Sequence, residues 1–206
     1  MTITLPIPSE GKTLHTEPLI HVMDDVLSQE ECAHIISVAE PHMKRGVVSS
    51  AEGGVESAGR TGSVHWVKHN TTPIVQGIID RISKIVGVPT SHAESLQVIY
   101  YGETQQYKPH FDAYDLSSES GKRCTANGGQ RLVTALIYLN DVQGGGGTIF
   151  PKAEQQVSSS QGRMVVFHNC YEGTNERHPH SLHGGMPVEA GEKWACNLWY
   201  RENEKT

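Results

Sequence analysis

The run YKPHFDAY, residues 107–114, places a histidine and an aspartate two positions apart, His110 and Asp112. Side chains on a strand alternate between two faces, so residues two apart point the same way and can grip one metal ion. Joined by a second imidazole, they make the two-histidine, one-carboxylate set. That set leaves one octahedral face of a ferrous ion open to a co-substrate and dioxygen. With twelve histidines in the chain the pair alone is a weak signal, and a third ligand has to be found.

Four histidines in the C-terminal third are candidates: His168, His178, His180 and His183. Position does not choose among them, but the residues after His183 do. The segment GGMPVEAGEKW reads as a strand, a turn at Glu189–Gly191 and a returning strand that begins near Lys193. Such a hairpin puts a lysine beside the strand that bears the histidine, where its ammonium meets the far carboxylate of a short dicarboxylate chelated to the metal. This favours His183. His178 and His180 lie in the Pro-containing run NERHPHS and read as solvated or supporting residues. His168 ends an apolar strand and reads as a core histidine.

These residues need a scaffold. LSQEECAHIISVAEP has Ser28 and Glu31 in capping-box spacing and stops before Pro41, which predicts a helix with Ile35, Ile36 and Ala39 on one face. TTPIVQGIIDRISKIVG predicts a second helix, with Thr72 as N-cap, Pro73 at the first position, Ile74, Ile78, Ile82 and Ile85 at helical spacing, and Gly87 at the end. From residue 95 the pattern turns to short β-rich runs, LQVIYY, RLVTALIYLN, GTIF, RMVVFH and WACNLWYR. Helices first and strands later is the grammar of an α+β fold with helices buttressing an antiparallel sheet. Two polar, glycine-bearing stretches, 47–60 and 116–130, are long enough to be lids over a site.

The 206 residues fit one domain after an N-terminal arm over 1–17. A formal net charge of −6 and the lack of a basic run argue against nucleic-acid binding, which leaves small molecules or proteins as partners. The start MTITLPIPSEGKT has neither a charged nor an apolar leader region, and no window approaches 18 uninterrupted apolar residues. The expectation is a cytoplasmic protein without a membrane span. Cys32, Cys124, Cys170 and Cys196 are far apart with no C-x-x-C pair, and read as reduced packing thiols.

The ordered segments LQVIYYGETQQYKPHFD, GGQRLVTALIYLNDV, GGGGTIFP and HSLHGGMPVEAGEKWACNLWYRE resemble the prolyl 4-hydroxylase branch of the Fe(II)/2-oxoglutarate dioxygenases. The resemblance covers about residues 18–202 and is strongest over 96–202. It implies a double-stranded β-helix, or jelly roll, over about 96–202, supported by helices over about 18–95, in a single domain 18–206.

Carried over by matched position, the resemblance implies His110, Asp112 and His183 as iron ligands and Lys193 as the anchor of the 2-oxoglutarate distal carboxylate. Tyr101 and Thr148 match hydroxyls that help to hold that carboxylate. Tyr107, Arg131 and Trp199 match the peptide side of the site, and Arg60 lies in another peptide-contacting stretch. The chain departs from the family at Thr104, commonly glycine, at Gly62, commonly serine, and at Gly147, commonly glutamate.

The implied reaction hydroxylates a prolyl residue, at C4, in a peptide or protein, with Fe(II), 2-oxoglutarate and O2 consumed or used and succinate and carbon dioxide released. Ascorbate enters as an auxiliary reductant. A Pro-containing peptide favours polyproline II, which lowers the ordering cost of lying in a groove. Free proline or another side chain is the alternative substrate. A zinc hydrolase on the same three ligands and a non-catalytic metal-binding jelly roll are rival readings, but no HExxH is present and both leave Lys193, Tyr101 and Thr148 without a purpose.

Overall fold

A computed structural model of the chain describes residues 5–50, 53–56 and 59–204. The chain begins with β1 (Lys12–Thr16), β2 (Leu19–Met23), α1 (Gln29–Ala39), β3 (Lys44–Arg45), β4 (Val47–Ser50), β5 (Gly53–Glu56), β6 (Ser63–Val67) and α2 (Pro73–Val86). There follow β7 (Leu96–Tyr101), β8 (Tyr107–His110), α3 (Glu119–Thr125), β9 (Arg131–Tyr138), β10 (Gly144–Gly145) and β11 (Thr148–Phe150). The last strands are β12 (Gln155–Val157), β13 (Met164–His168), β14 (His183–Gly185), β15 (Val188–Ala190) and β16 (Lys193–Arg201).

Eight antiparallel strands form the major sheet in the order β1-β2-β13-β9-β16-β7-β6-β3, and four form the minor sheet, β12-β11-β14-β8. Together they are the two faces of a jelly roll in an α+β chain. The predicted arm is in part a strand: Lys12–Thr16 pair with β2 at the edge of the major sheet. The region 18–95 is likewise not all helical, since it supplies β2 and β6 to that sheet.

Both helices form for the reasons their sequences state. Ser28 and Glu31 exchange side-chain and backbone hydrogen bonds at the start of α1. Thr72 caps α2, Pro73 opens it, and Gly87 closes it at φ 75°, where a Cβ would be strained. The buried stripe of α2 is rotated from the predicted one: Val75, Ile78, Ile79, Ile82 and Val86 are buried, whereas Ile74 is 47% exposed. On α1 the buried face is Cys32, Ile35 and Ala39, with Ile36 only partly covered.

The major sheet is buried on both faces, and period-2 alternation sorts its residues. On β9, Val133, Ala135 and Ile137 pack toward the helices, while Leu136 and Tyr138 face the minor sheet. On β16, Trp194, Cys196, Leu198 and Tyr200 take the helix side. The alternate residues Lys193, Asn197 and Trp199 line the interior between the sheets. On β7 the same rule turns Gln97, Ile99 and Tyr101 inward. One apolar layer therefore buttresses the sheet and frees its other face for polar chemistry. Among the described residues no helix is long and apolar enough to cross a membrane.

Candidate active site

The minor sheet brings two histidines face to face. His183 on β14 pairs in register with His110 on β8, and their ring centroids are 4.5 Å apart. β8 ends at His110, so Asp112 projects from a bend just past the strand rather than from the strand itself. Its Oδ1 is 3.6 Å from His110 Nε2 and its Oδ2 is 3.5 Å from His183 Nε2. The candidate ligand atoms of the three residues all lie within 4.8 Å of one another.

The tautomers suit a metal. His110 Nδ1 donates to the Lys108 carbonyl at 3.0 Å and His183 Nδ1 donates to the Ser181 carbonyl at 2.9 Å. A carbonyl only accepts, so each ring carries its proton on Nδ1 and turns the Nε2 lone pair toward Asp112. Burial pushes the His183 pKa down to about 4, which keeps that ring neutral at pH 7 despite the opposing pull of Asp112. Burial would raise the Asp112 pKa, but the charge that His183 and His110 take up as the site is acidified, with that of Arg131, holds it below the usual carboxylate range. Two neutral imidazoles and one carboxylate on one side of an ion fit ferrous iron, with no soft ligand in the set.

The triad opens into a cavity of about 470 Å³. On its wall Lys193 is 1% exposed, and burial pushes its pKa down to about 7. Among the described residues its ammonium has no carboxylate partner and no hydrogen bond; it lies 5.1 Å from the Tyr138 ring centroid and 5.9 Å from that of Tyr101. Beside it Tyr138 Oη and Thr148 Oγ1 share a 2.7 Å hydrogen bond, and Tyr138 Oη lies 3.4 Å from the Val157 carbonyl, so the Thr148 proton is free for a ligand when Tyr138 donates to Thr148. A buried ammonium without a counter-charge is costly, so this wall is built for an anion.

The hairpin that pointed to Lys193 does not form as predicted. β15 pairs with β10, and β16 lies in the major sheet between β9 and β7. Pro187 follows β14, and the turn at Gly191, φ 79°, carries the chain across to the other sheet. His183 and Lys193 thus line one cavity from opposite sheets.

The other wall is aromatic and cationic. The Tyr107 ring stacks on His110 at 3.6 Å and 18°, with the Arg60 guanidinium 4.9 Å above it. Arg131 lies 3.8 Å over the Trp199 ring and spends Nε and Nη2 on Glu94, at 2.6 and 2.9 Å. Of its three nitrogens only Nη1 carries no hydrogen bond to a described residue. Arg60 Nη2 donates to Gln97 Oε1 at 3.0 Å, and burial pushes the Tyr101 pKa up against the opposing pull of the Arg60 charge. Trp66, 41% exposed, sits 5.6 Å from Trp199 at the cavity mouth.

His178 is buried, not solvated: its Nδ1 accepts from the His180 N–H and its ring packs on Tyr171. His180 is exposed, and half-buried His168 has its pKa pushed down to about 4 by burial; neither joins the triad. Of the two lid candidates, 116–130 contains α3 and offers Ser118, Ser120 and Gly121 to the cavity rim. In the other, 47–60, the strands β4 and β5 pair as a hairpin, and residues 51, 52, 57 and 58 lie outside the described residues.

Gln97, Asn197 and Trp66 line the cavity and Tyr138 is buried beside Lys193 behind its wall; motif reading missed all four. For three of them the signal was present: strand alternation from Lys193 reaches Asn197, from Tyr101 reaches Gln97, and from Leu136 reaches Tyr138.

Residues 96–201 match the model of the 2OG-Fe(II) oxygenase superfamily. A putative prolyl 4-hydroxylase of Acanthamoeba polyphaga mimivirus is 36% identical over 183 residues, spanning 89% of this chain and 74% of that protein. The chain belongs to the prolyl 4-hydroxylase family of 2OG-Fe(II) oxygenases. Prolyl 4-hydroxylase 5 of Arabidopsis thaliana is also 36% identical, over 91% of this chain and 70% of its own length. Among solved structures, the viral collagen prolyl hydroxylase of Paramecium Bursaria Chlorella virus-1, in its 2OG complex, superposes with a TM-score of 0.70 at 23% identity, covering 87% of this chain and 94% of that one. The fold is the same.

The enzyme is a 2-oxoglutarate-dependent dioxygenase that uses Fe(II), and membership of this family sets aside the zinc-hydrolase and passive-module readings. Two of the family departures, Gly62 and Gly147, have steric causes, and the third, Thr104, runs against its backbone geometry. A Cβ at Gly62 would lie 2.4 Å from the Tyr100 carbonyl and 2.5 Å from the Tyr101 ring, and one at Gly147 would lie 2.6 Å from the Val157 carbonyl. Thr104 has φ 66°, the left-handed region that favours the family's glycine.

Proposed function

We propose that the enzyme hydroxylates a prolyl residue, at C4, in an extended Pro-containing segment of a peptide or protein, releasing succinate and carbon dioxide. The observation that carries this reading is one cavity that holds the His110–Asp112–His183 triad, the uncompensated Lys193 ammonium and a wall of Tyr107, Trp199 and Arg131. Relatives matched over 70–74% of their own length bear the prolyl 4-hydroxylase name, and a Trichoplax adhaerens prolyl hydroxylase with a TM-score of 0.58 is in complex with a peptide fragment.

His110, Asp112 and His183 hold the iron. Iron and 2-oxoglutarate together supply oxidative decarboxylation coupled to insertion of one oxygen atom into a C–H bond. The protein supplies aim. Lys193 pairs with the distal carboxylate of 2-oxoglutarate, while the Thr148 hydroxyl, braced by Tyr138, and the Tyr101 hydroxyl complete its hydrogen bonds. Trp199 and Tyr107 offer flat apolar faces to a pyrrolidine ring, and Nη1 of Arg131 donates to a peptide carbonyl. Arg60 stiffens the Tyr107 side. Residues 116–130, and the 47–60 stretch with them, close over the bound segment and expel water.

The test is incubation with Fe(II), 2-oxoglutarate, ascorbate and a Pro-peptide library, with free proline in parallel, read by mass spectrometry. The expected result is a gain of one oxygen on a prolyl residue of a peptide, with 4-hydroxyproline recovered on hydrolysis. Modification of free proline alone, or of a different side chain, would replace this reading with the alternative substrate.

A further inference from the structure

The three metal ligands do not orient themselves, and two of them trace back to one buried amide. Thr134, fully buried on β9, donates from Oγ1 to Asp112 Oδ2 at 2.7 Å. Its single proton is then spent, so the Oγ1 can only accept from Asn169 Nδ2, which lies 2.9 Å away. This fixes the flip of the Asn169 amide and leaves its Oδ1 buried with no hydrogen-bond partner among the described residues. The main chain of the same residue works on the other side of the site. The Asn169 carbonyl accepts from the His178 N–H at 2.9 Å, and the one proton of Ser181 Oγ lies between that carbonyl at 3.2 Å and the nearer His178 carbonyl at 2.7 Å; the Ser181 carbonyl in turn takes the Nδ1 proton of His183.

We propose that Asn169 and Thr134 are positioning residues for the iron site: through Thr134 the amide sets the rotamer of Asp112, and through His178 and Ser181 the main chain sets the tautomer of His183. A hydroxyl that donates to Oδ2 pins the carboxylate plane. An amide N–H that must donate to that hydroxyl keeps its proton pointing at Asp112 and nowhere else. The unsatisfied Oδ1 is what this polarity costs, and an apolar residue at 169 would avoid it. Its retention in a fully buried position argues that the donor is needed. The inference rests on the triad and not on the identity of the substrate.

Thr134→Val keeps the shape and removes the hydroxyl, Thr134→Ser keeps the hydroxyl, and Asn169→Asp replaces the donor by an acceptor. Each is titrated with Co(II), read by its visible d–d absorption, with apo-protein folding followed by circular dichroism. The expected result is a 10- to 100-fold loss of metal affinity in Thr134→Val and Asn169→Asp, within the range that removing a ligand's hydrogen-bond partner produces, and a change under twofold in Thr134→Ser. Activity lost in the first two returns as Fe(II) is raised, which a general loss of packing would not allow. If Thr134→Val does not fold, Asn169→Asp decides. Wild-type metal affinity in a folded Thr134→Val or Asn169→Asp protein, a Thr134→Ser as weak as Thr134→Val, or failure of both altered proteins to fold, would overturn the proposal.

Discussion

Lys193 on β16 lies directly across the sheet from Tyr101 on β7, and its buried ammonium has no carboxylate to meet among the described residues. The second cation-bearing wall, by contrast, is in part compensated: one carboxylate, Glu94, accepts from both Arg131 and Arg201. An active site that compensates one buried cation and leaves another bare has reserved the second for a ligand.

The Lys193 pKa, pushed by burial down to about 7 from 10.5, makes two pH windows. Between about 7 and 10.5 the unfolded chain holds a proton there that the folded one lacks, so the ligand-free protein gains stability from this group as pH rises. Binding of 2-oxoglutarate needs the ammonium, so its affinity should be flat in this group below pH 7. Above pH 7 it should fall by up to tenfold per unit. Calorimetry on Mn(II)-loaded enzyme in buffers of different ionisation enthalpy should show uptake of close to one proton per ligand at pH 8. No uptake would mean that the lysine is charged without its ligand.

Thr104 is exposed and its N–H donates to the Val188 carbonyl at 2.8 Å, a bond that glycine keeps. Thr104→Gly should therefore relieve left-handed strain, offset in part by the freedom glycine gains in the unfolded chain, for a net of about 0.5–1 kcal/mol and ~2–3 °C in melting temperature. Gly62→Ser, which restores another family residue, should do the opposite. Its Cβ meets backbone and the Tyr101 ring, which costs ~1–3 kcal/mol and disturbs the cavity. A Gly62→Ser protein as stable as the parent would show that Tyr101 yields freely.

Trp66 pairs on β6 with Gln97, an inward residue, and stands exposed at the mouth beside Trp199. It should carry substrate without touching the chemistry. Trp66→Ala is expected to raise KM for a Pro-peptide by about 5- to 50-fold, or roughly 1–2 kcal/mol of lost aromatic contact, with kcat within about twofold. Equal peptide KM values in parent and variant would place the peptide on another side of the cavity.

Much of this was legible in the residues. Local chemistry marked both long helices, because caps and stops act within a few residues of themselves. The five strand runs are nearly the observed β7, β9, β11, β13 and β16, since a sheet buried on both faces writes a continuous apolar run. What failed was long-range. KTLHT and LIHVM gave no hint that they close the edge of a sheet by pairing with β13, more than a hundred residues away. α3 was hidden because ESGKRCT has a cap but no apolar stripe. Lys193 was chosen through a hairpin that does not exist, yet it lines the right cavity, because a jelly roll folds its two sheets around one interior.

Replacing Asp112 separates metal chemistry from ligand binding. Asp112→Ala removes one of three ligands and should abolish peptide-stimulated succinate formation, by at least ~10³-fold, in a protein that still folds. Full turnover in that variant would mean that a group other than this carboxylate completes the iron site.

The most direct measurement is anaerobic titration of the Fe(II) enzyme with 2-oxoglutarate, followed in the visible spectrum, for the parent and for Lys193→Ala. The parent should develop a weak charge-transfer band as the keto acid chelates the metal. Lys193→Ala should bind Fe(II) normally but need at least ~10²-fold more 2-oxoglutarate for the same band, the loss of about 3 kcal/mol expected when a buried carboxylate is left without its cation. A band that forms at the same concentration in both proteins would contradict the pairing of this triad with this ammonium around one dicarboxylate.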